Sequence, residues 1–208
     1  MDEIVKQAMA KWPNVPHCYG WLGLDARGNW RMRDERAQHL GLAGDKLSNA
    51  ALVGFIVRNY ASDERGCWYF QNGPQRVYLE LEATPYIVRT DPAQGWLLHT
   101  GAALGAIDEA GLTEAGELVL RSGAVVAQLD DRDFAQVLPQ LEWDGRAVED
   151  EALLDWLEAD ATKEAPPLTL RDRGRVLPLQ RWLRAALPAY FSFVRSPSVS
   201  GEGLPNAE

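Results

Sequence analysis

Cysteine is scarce in this chain: Cys18 and Cys67 are the only two among 208 residues. Two thiols cannot build the disulfide framework of a small secreted scaffold. Histidine is almost as sparse, at His17, His39 and His99. Zinc sites draw on closely spaced Cys and His pairs. His17, Cys18, Cys67 and His99 have no such spacing, and the adjacent His17 and Cys18 side chains tend to diverge, so no metal and no other cofactor is expected. Long apolar runs are missing as well; nothing approaches the roughly 20 residues that span a bilayer, and no membrane association is expected. The chain opens Met1-Asp2-Glu3, acidic where a secretory segment is basic, which predicts a cytoplasmic protein with reduced thiols. There is no phosphate-cradling lysine loop, dinucleotide glycine fingerprint, nucleophile elbow or HExxH helix. Gly101 to Gly105 is glycine-bearing but lacks a lysine and a strand-to-helix setting. No catalytic residue is assigned.

An excess of basic charge is also lacking. The formal net charge is −9. Residues 1–103 balance at zero, residues 104–163 carry −11, and residues 164–208 carry +2. So acidic a middle repels phosphate backbones and excludes general nucleic-acid binding. Its carboxylates, in Asp130-Asp131-Arg132-Asp133 and Glu149-Asp150-Glu151, stand where helices begin, and capping and the helix dipole account for them.

What the chain does have is apolar mass, eight tryptophans and an internal echo. Gly28-Asn29-Trp30-Arg31 is matched by Gly116-Glu117-Leu118-Val119. The stretch Asn72 to Leu79 is matched by Arg173 to Leu179, and Pro85 to Pro92 by Pro188 to Pro197. The expected fold class is therefore α+β: two similar hairpin-helix-hairpin motifs with antiparallel sheets packed on helices. The first motif is expected over 1–95, the second over 96–195, and a flexible tail over 196–208, with the junction at Asp91 to Gly95.

Hydrophobic periodicity and turn signals fill in the elements. A helix is predicted over Asp2 to Lys11, and a hairpin from Tyr19 to Leu24 and Asn29 to Arg33. Asp34 to Leu47 reads as a loop. Ser48 is expected to cap a helix from Asn49 to Tyr60. A second hairpin, Cys67 to Gln71 with Gln75 to Glu82, turns at Asn72-Gly73, where Pro74 threatens a ladder donor. Strands are predicted over Tyr86 to Thr90 and Trp96 to His99, with a hairpin around Ser122-Gly123. Asp130 and Asp150 are expected to cap helices. A last hairpin turns at Asp172-Arg173-Gly174, with its strand ending near Gln180. A helical turn stopped by Pro188 and a closing strand from Tyr190 to Val194 follow.

Strand alternation sorts the first half into two faces. Trp30, Met32, Trp68, Phe70, Val77, Leu79 and Leu81 belong to the core. The opposite face collects Arg31, Arg33, Tyr69, Gln71, Arg76, Tyr78, Glu80 and Glu82. Aromatic rings mixed with arginine and carboxylate suit a binding surface for a peptide, a partner protein or a small polar ligand, and Arg31, Arg33, Tyr69, Arg76, Tyr78, Glu80 and Glu82 are its candidate residues. A solvated face of cross-strand Arg–Glu pairs is the plainer alternative.

Gly28-Asn29-Trp30, Ala51-Leu52-Val53-Gly54-Phe55-Ile56, Gly66-Cys67-Trp68-Tyr69-Phe70 and Val77 to Tyr86 together resemble uncharacterised proteobacterial families of unknown function. The likeness is clearest over residues 19–92, and Asp34 to Leu47 is a longer insertion than that pattern carries. The resemblance implies two repeated α+β motifs and a role in signal transduction, and it brings no catalytic residue with it. The leading expectation is a non-enzymatic binding or regulatory module. The alternatives are a small hydrolase or transferase centred on Cys67, and a homodimer joined through an exposed sheet edge.

Overall fold

The computed structural model describes residues 1–158 and 168–198. Its contacts divide the chain into two compact units, one formed by residues 1–85 with the described stretch from Ser192, the other by residues 86–191. Asp91 to Gly95, the expected junction, is instead the turn of a hairpin inside the second unit. Beyond Ser198 the expected tail lies outside the described residues.

The first unit comprises α1 (Glu3–Lys11), β1 (Cys18–Leu24), β2 (Trp30–Met32), α2 (Glu35–His39), β3 (Asp45–Lys46), α3 (Ala50–Arg58), β4 (Tyr60–Ser62), β5 (Trp68–Asn72) and β6 (Gln75–Leu81). Its sheet runs β3-β2-β1-β6-β5-β4, antiparallel except where β1 lies parallel to β6. Leu22, Leu24, Trp30, Phe70, Leu79 and Leu81 are buried, as their alternation requires. The aromatic residues of that face interlock: Phe55 of α3 meets Phe70 edge-on at 5.4 Å, and Trp30 meets Tyr60 edge-on at 5.2 Å. Such edge-to-face pairs add about 1 kcal/mol each beyond burial. The predicted loop from Asp34 to Leu47 contains both α2 and β3, because the Asp34 carboxylate accepts from Ala37 N at 2.7 Å and nucleates a turn. Asn49, not Ser48, caps α3, accepting from Leu52 N at 3.0 Å. Gly73 and Pro74 form the two-residue loop between β5 and β6, Gly73 with φ of +57°. The proline therefore sits in the turn and removes no ladder donor.

The second unit comprises β7 (Tyr86–Asp91), β8 (Gly95–Leu98), β9 (Glu109–Thr113), β10 (Leu118–Ser122), β11 (Val125–Leu129), α4 (Phe134–Val137), β12 (Leu141–Trp143), β13 (Arg146–Ala147), α5 (Asp150–Glu158), β14 (Leu168–Asp172), β15 (Arg175–Trp182) and α6 (Leu187–Tyr190). Its sheet runs β13-β12-β14-β15-β9-β10-β11-β7-β8. Leu112, Leu118, Leu120, Leu141, Leu168 and Leu170 are fully buried in one continuous core. Asp130 caps a single 3-10 turn ahead of the short α4, and Asp150 is the first residue of α5 rather than its cap. Pro139 keeps the stripe from Phe134 to Leu141 from forming one long helix, so it breaks into α4 and a 3-10 turn.

The duplication is visible in strand order. In the first unit the order is β3-β2-β1-β6-β5-β4; in the second, β11-β10-β9-β15-β14-β12 repeats it, with β15 parallel to β9 as β6 is to β1. The second copy adds β13 and α5 as an insertion and β7-β8 at its edge. The echo between Pro85 to Pro92 and Pro188 to Pro197 is not structural. The former becomes β7, which pairs with β11. The latter becomes α6, with Pro188 in its first turn, where its ring is compatible with a helix, followed by a return to the first unit. In place of a closing strand from Tyr190 to Val194, Val194 makes one parallel bridge to Cys67. Edge strands β3 and β13 are two residues long, β4 three and β8 four, which leaves little ladder for edge-to-edge pairing.

At the β7–β8 edge, His99 exchanges hydrogen bonds with Ile87: its N–H reaches Ile87 O at 2.7 Å, and Ile87 N donates to Nδ1 at 3.2 Å. Burial drives the imidazole pKa from 6.5 to about 4. The unfolded chain thus binds the extra proton first, so this contribution is complete above pH 6.5 and is lost as pH falls toward 4. The loss amounts to roughly 3 kcal/mol. His99→Gln should flatten that limb, read as urea midpoints at about pH 7 and about pH 4.5. Equal pH sensitivity in both proteins would assign the acid lability elsewhere.

Candidate functional site

Two hairpin loops of the first unit share the sequence Asp-x-Arg-Gly: Asp25-Ala26-Arg27-Gly28 between β1 and β2, and Asp63-Glu64-Arg65-Gly66 between β4 and β5. They are built alike. In each, the aspartate Oδ1 accepts from the backbone N–H two and four residues on: Arg27 at 3.0 Å and Asn29 at 2.8 Å, or Arg65 at 3.0 Å and Cys67 at 3.0 Å. In each, the fourth residue is glycine, at φ of +76° or +78°, a conformation open to it without a Cβ penalty. Each turn leaves Oδ2 aimed at the polar face of the sheet, and each Oδ2 collects arginine.

Around Asp25 a groove of about 360 Å³ forms, walled by Arg31, Arg33, Glu80 and Glu82 and by the insertion residues Gly41 to Ala43. Arg31 donates from Nε to Asp25 Oδ2 at 2.8 Å and reaches Gly44 O at 3.4 Å. Arg33 holds Leu42 O at 3.1 Å and Gly20 O at 3.4 Å, and lies 4.0 Å from Glu80. Both guanidinium groups are thus fixed by the strand and the insertion together. Burial works against the Asp25 carboxylate, but the bonds from Asn29, Arg31 and Arg27 outweigh it and hold its pKa below the ordinary value. The floor is Gly23, opposite Arg31 on β2 and Glu80 on β6. A Cβ there would stand 3.4 Å from Glu80 O, 3.5 Å from Arg33 Cδ and 3.8 Å from Arg31 Cβ.

The second cluster sits at the other end of the same face. Tyr78 donates its hydroxyl to Asp63 Oδ2 at 3.0 Å and accepts from Arg65 at 3.3 Å and Arg76 at 3.4 Å. Arg65 also grips Asp63 from Nε and Nη2, at 3.1 and 2.9 Å. Arg76 lies over the Tyr69 ring at 4.6 Å. Ser62, Asp63, Glu64, Arg65, Tyr69 and Arg76 line an open recess of about 500 Å³.

The candidate residues therefore fall into two groups: Arg31, Arg33, Glu80 and Glu82 in the groove, and Tyr69, Arg76 and Tyr78 in the recess. Strand parity puts all seven on one face, but the tyrosines are not surface groups. Tyr78 is 1% exposed and Tyr69 6%. The Tyr19 ring stacks on Tyr78 at 4.8 Å, His17 closes its edge at 5.7 Å, and Val194 of the returning segment packs against the same cluster. A backbone irregularity between Cys18 and Leu22 is what brings Tyr19 over the sheet. Gln71 is buried too, and holds its own hairpin by donating to Gly73 O at 3.0 Å. Asp25, Asp63 and Arg65 join these candidates, and the repeated Asp-x-Arg-Gly signal points to all three. Among the described residues, no three His, Cys, Asp or Glu side chains gather to hold a metal ion, and no helix is long and apolar enough to cross a membrane.

The duplicated unit supplies an internal comparison. Register equates Gly23 with Gly111, Arg31 with Val119, Asp25 with Thr113, Glu80 with Gln180 and Glu82 with Trp182. The glycine persists, and Arg31, Asp25, Glu80 and Glu82 give way to neutral residues, while Arg33 keeps its charge in Arg121, which there pairs with Glu109. Above Gly111 the Trp182 ring occupies the hollow, standing 2.6 to 2.7 Å from where a Cβ would lie. Above Gly23 the same hollow is the open groove.

No curated protein matches this chain. A solved DUF1285 family protein from Silicibacter pomeroyi DSS-3 is similar to it at 15% identity and a TM-score of 0.48, over 86% of this chain and 96% of that one. Another, from Shewanella baltica OS155, is 14% identical with a TM-score of 0.37, over 56% of this chain and 88% of that one. The sequence itself matches a family profile over residues 1–198, and the chain belongs to that family, DUF2944, described as protein of unknown function (DUF2946).

Proposed function

We propose that this protein is a non-catalytic binding module whose first unit holds a small polar ligand in the groove over Gly23, and that occupancy of the groove is its regulatory signal. The observation that carries this reading is the contrast between the two copies. One copy fills its glycine hollow with its own tryptophan and has neutral residues where the other has Asp25, Arg31, Glu80 and Glu82. The other keeps the hollow open and rings it with two arginines and three carboxylates. Arginines already fixed by Asp25 and by backbone carbonyls lose little freedom on binding, so their donors are preorganised. Mixed charge favours a ligand bearing both an anionic and a cationic or hydroxyl group.

The groove can be closed without strain, since Gly23 lies in a strand and its backbone needs no left-handed conformation. A thermal-shift screen of amino acids, dicarboxylates and nucleosides should return a compound that raises the Tm by about 5 °C when well above its Kd. Gly23→Val should abolish that shift with its own Tm close to that of the parent, and Arg33→Gln should weaken it. A panel without effect, or an equal shift in Gly23→Val, would defeat the groove as a ligand site.

The cysteine-centred hydrolase or transferase finds less support. Cys67 is 4% exposed, beneath the returning segment. Burial pushes its thiol pKa up and the neighbouring Asp63 charge pushes it further, Arg65 only partly opposing. A nucleophilic thiol needs the reverse. Iodoacetamide at neutral pH should label Cys67 at least about tenfold more slowly than a free thiol, as followed by mass spectrometry, and at full rate in urea. Fast labelling of the folded chain would revive the enzymatic reading.

A further inference from the structure

We propose that the recess walled by Asp63, Arg65, Tyr69 and Arg76 is a second site, an oxyanion site that seats the phosphoryl group of a small ligand. It stands apart from the groove over Gly23 and does not depend on it. The argument begins with charge. Two guanidinium groups converge on one phenolic oxygen, that of Tyr78, from 3.3 and 3.4 Å. The phenol can accept from both because its own proton goes to Asp63, 3.0 Å away. Asp63 pairs directly with Arg65, at 2.9 Å, and reaches Arg76 only across the Tyr78 hydroxyl. Among the described residues, Arg76 has no carboxylate within ion-pair reach.

Arg76 is also shaped for the task. Its guanidinium is stacked on Tyr69 at 4.6 Å, which fixes its plane, and its bond to Tyr78 uses one of five N–H donors. The remaining donors border a recess of about 500 Å³, room for a phosphoryl group and the first atoms of a substituent. Arginine's fork matches two oxygens of such a group at once, and a tetrahedral anion offers further oxygens to Arg65 alongside. The field agrees. His17, at the edge of Tyr78, has its pKa lowered by burial and then by Arg76 and Arg65, with Asp63 too weak to reverse them. Two guanidinium groups and one paired carboxylate thus meet at the inner end of the recess. Glu64, which also lines the recess, is exposed, so water and salt screen its repulsion.

Isothermal titration of the full chain with inorganic phosphate and with glycerol 3-phosphate tests the assignment. Both should bind saturably, and binding should weaken as sodium chloride is raised. A tighter monoester would show that the recess takes a substituted phosphate, and equal affinities that it reads the free anion. Arg76→Gln should weaken both by about tenfold or more, the value of a charged hydrogen bond, while Arg76→Lys should retain part of the affinity. Gly23→Val should bind both as the parent does, so failure here and failure of the groove reading are separable. Absence of saturable binding by the parent, or unchanged affinity in a folded Arg76→Gln chain, would overturn the proposal.

Discussion

Two carboxylates that close their own hairpin loops organise the polar half of this protein. Asp25 and Asp63 each spend one oxygen on backbone N–H groups and present the other to the sheet face. A carboxylate placed at a partly buried turn cannot remain unpaired, because desolvating a lone charge costs several kcal/mol. Arg31 answers the first and Arg65 the second. Once these arginines are in place, the rest follows. Arg31 and Arg33 pin the insertion through Gly44 and Leu42, and Arg65 joins Arg76 at Tyr78. Turn chemistry, not a helix or a loop of catalytic residues, decides where the clefts lie.

The duplicated architecture explains why only one unit carries such clefts. At the turn equivalent to Asp25 the second unit has Thr113, whose hydroxyl accepts from Glu117 N at 3.2 Å and gives its proton to the Glu117 side chain. A neutral hydroxyl closes the same turn, and the carboxylate there belongs to Glu117, which Arg184 of the segment after β15 meets at 3.6 Å. Val119 then stands where Arg31 stands, and it is fully buried. Copying one topology thus produced a unit that buries Val119 and Trp182 at the positions where its counterpart keeps Arg31 and Glu82. The trailing segment after each motif joins the other unit, β7 in the second and residues from Ser192 in the first, so the two copies are not consecutive beads on the chain.

Much of this was legible in the residues. The paired Gly28-Asn29-Trp30 and Gly116-Glu117-Leu118 segments fall on equivalent strands, as do the stretches around Gly73 and Gly174, because turn glycines and core-facing residues fix register. Face assignment also follows from period two alone. Exposure does not. Nothing in the local pattern says that Tyr19 and His17, some sixty residues before Tyr78, will lie across it, or that Val194 will return to the same spot; these are contacts between distant segments. Short strands were lost for a different reason. β3, β4 and β13 hold two or three residues each, too few for alternation to register. The Asp144-Gly145 turn that joins β12 to β13 did carry its signal, with both residues at positive φ, and reading it would have recovered that hairpin.

The buried tyrosines give the charged face its rigidity. A solvated Arg–Glu surface is worth little to stability and moves freely. Here Tyr78 is packed between Tyr19 and Tyr69 and bonded to three charged groups, so moving any one of them disturbs an aromatic cluster as well as a hydrogen-bond network. Arginine stacked on tyrosine keeps its charge while shedding conformational freedom. The same burial that covers Tyr78 makes it and Tyr69 the scaffold on which Arg65 and Arg76 are held. The face is built as two layers, aromatic beneath and guanidinium above, with Tyr69 reaching the wall of the recess.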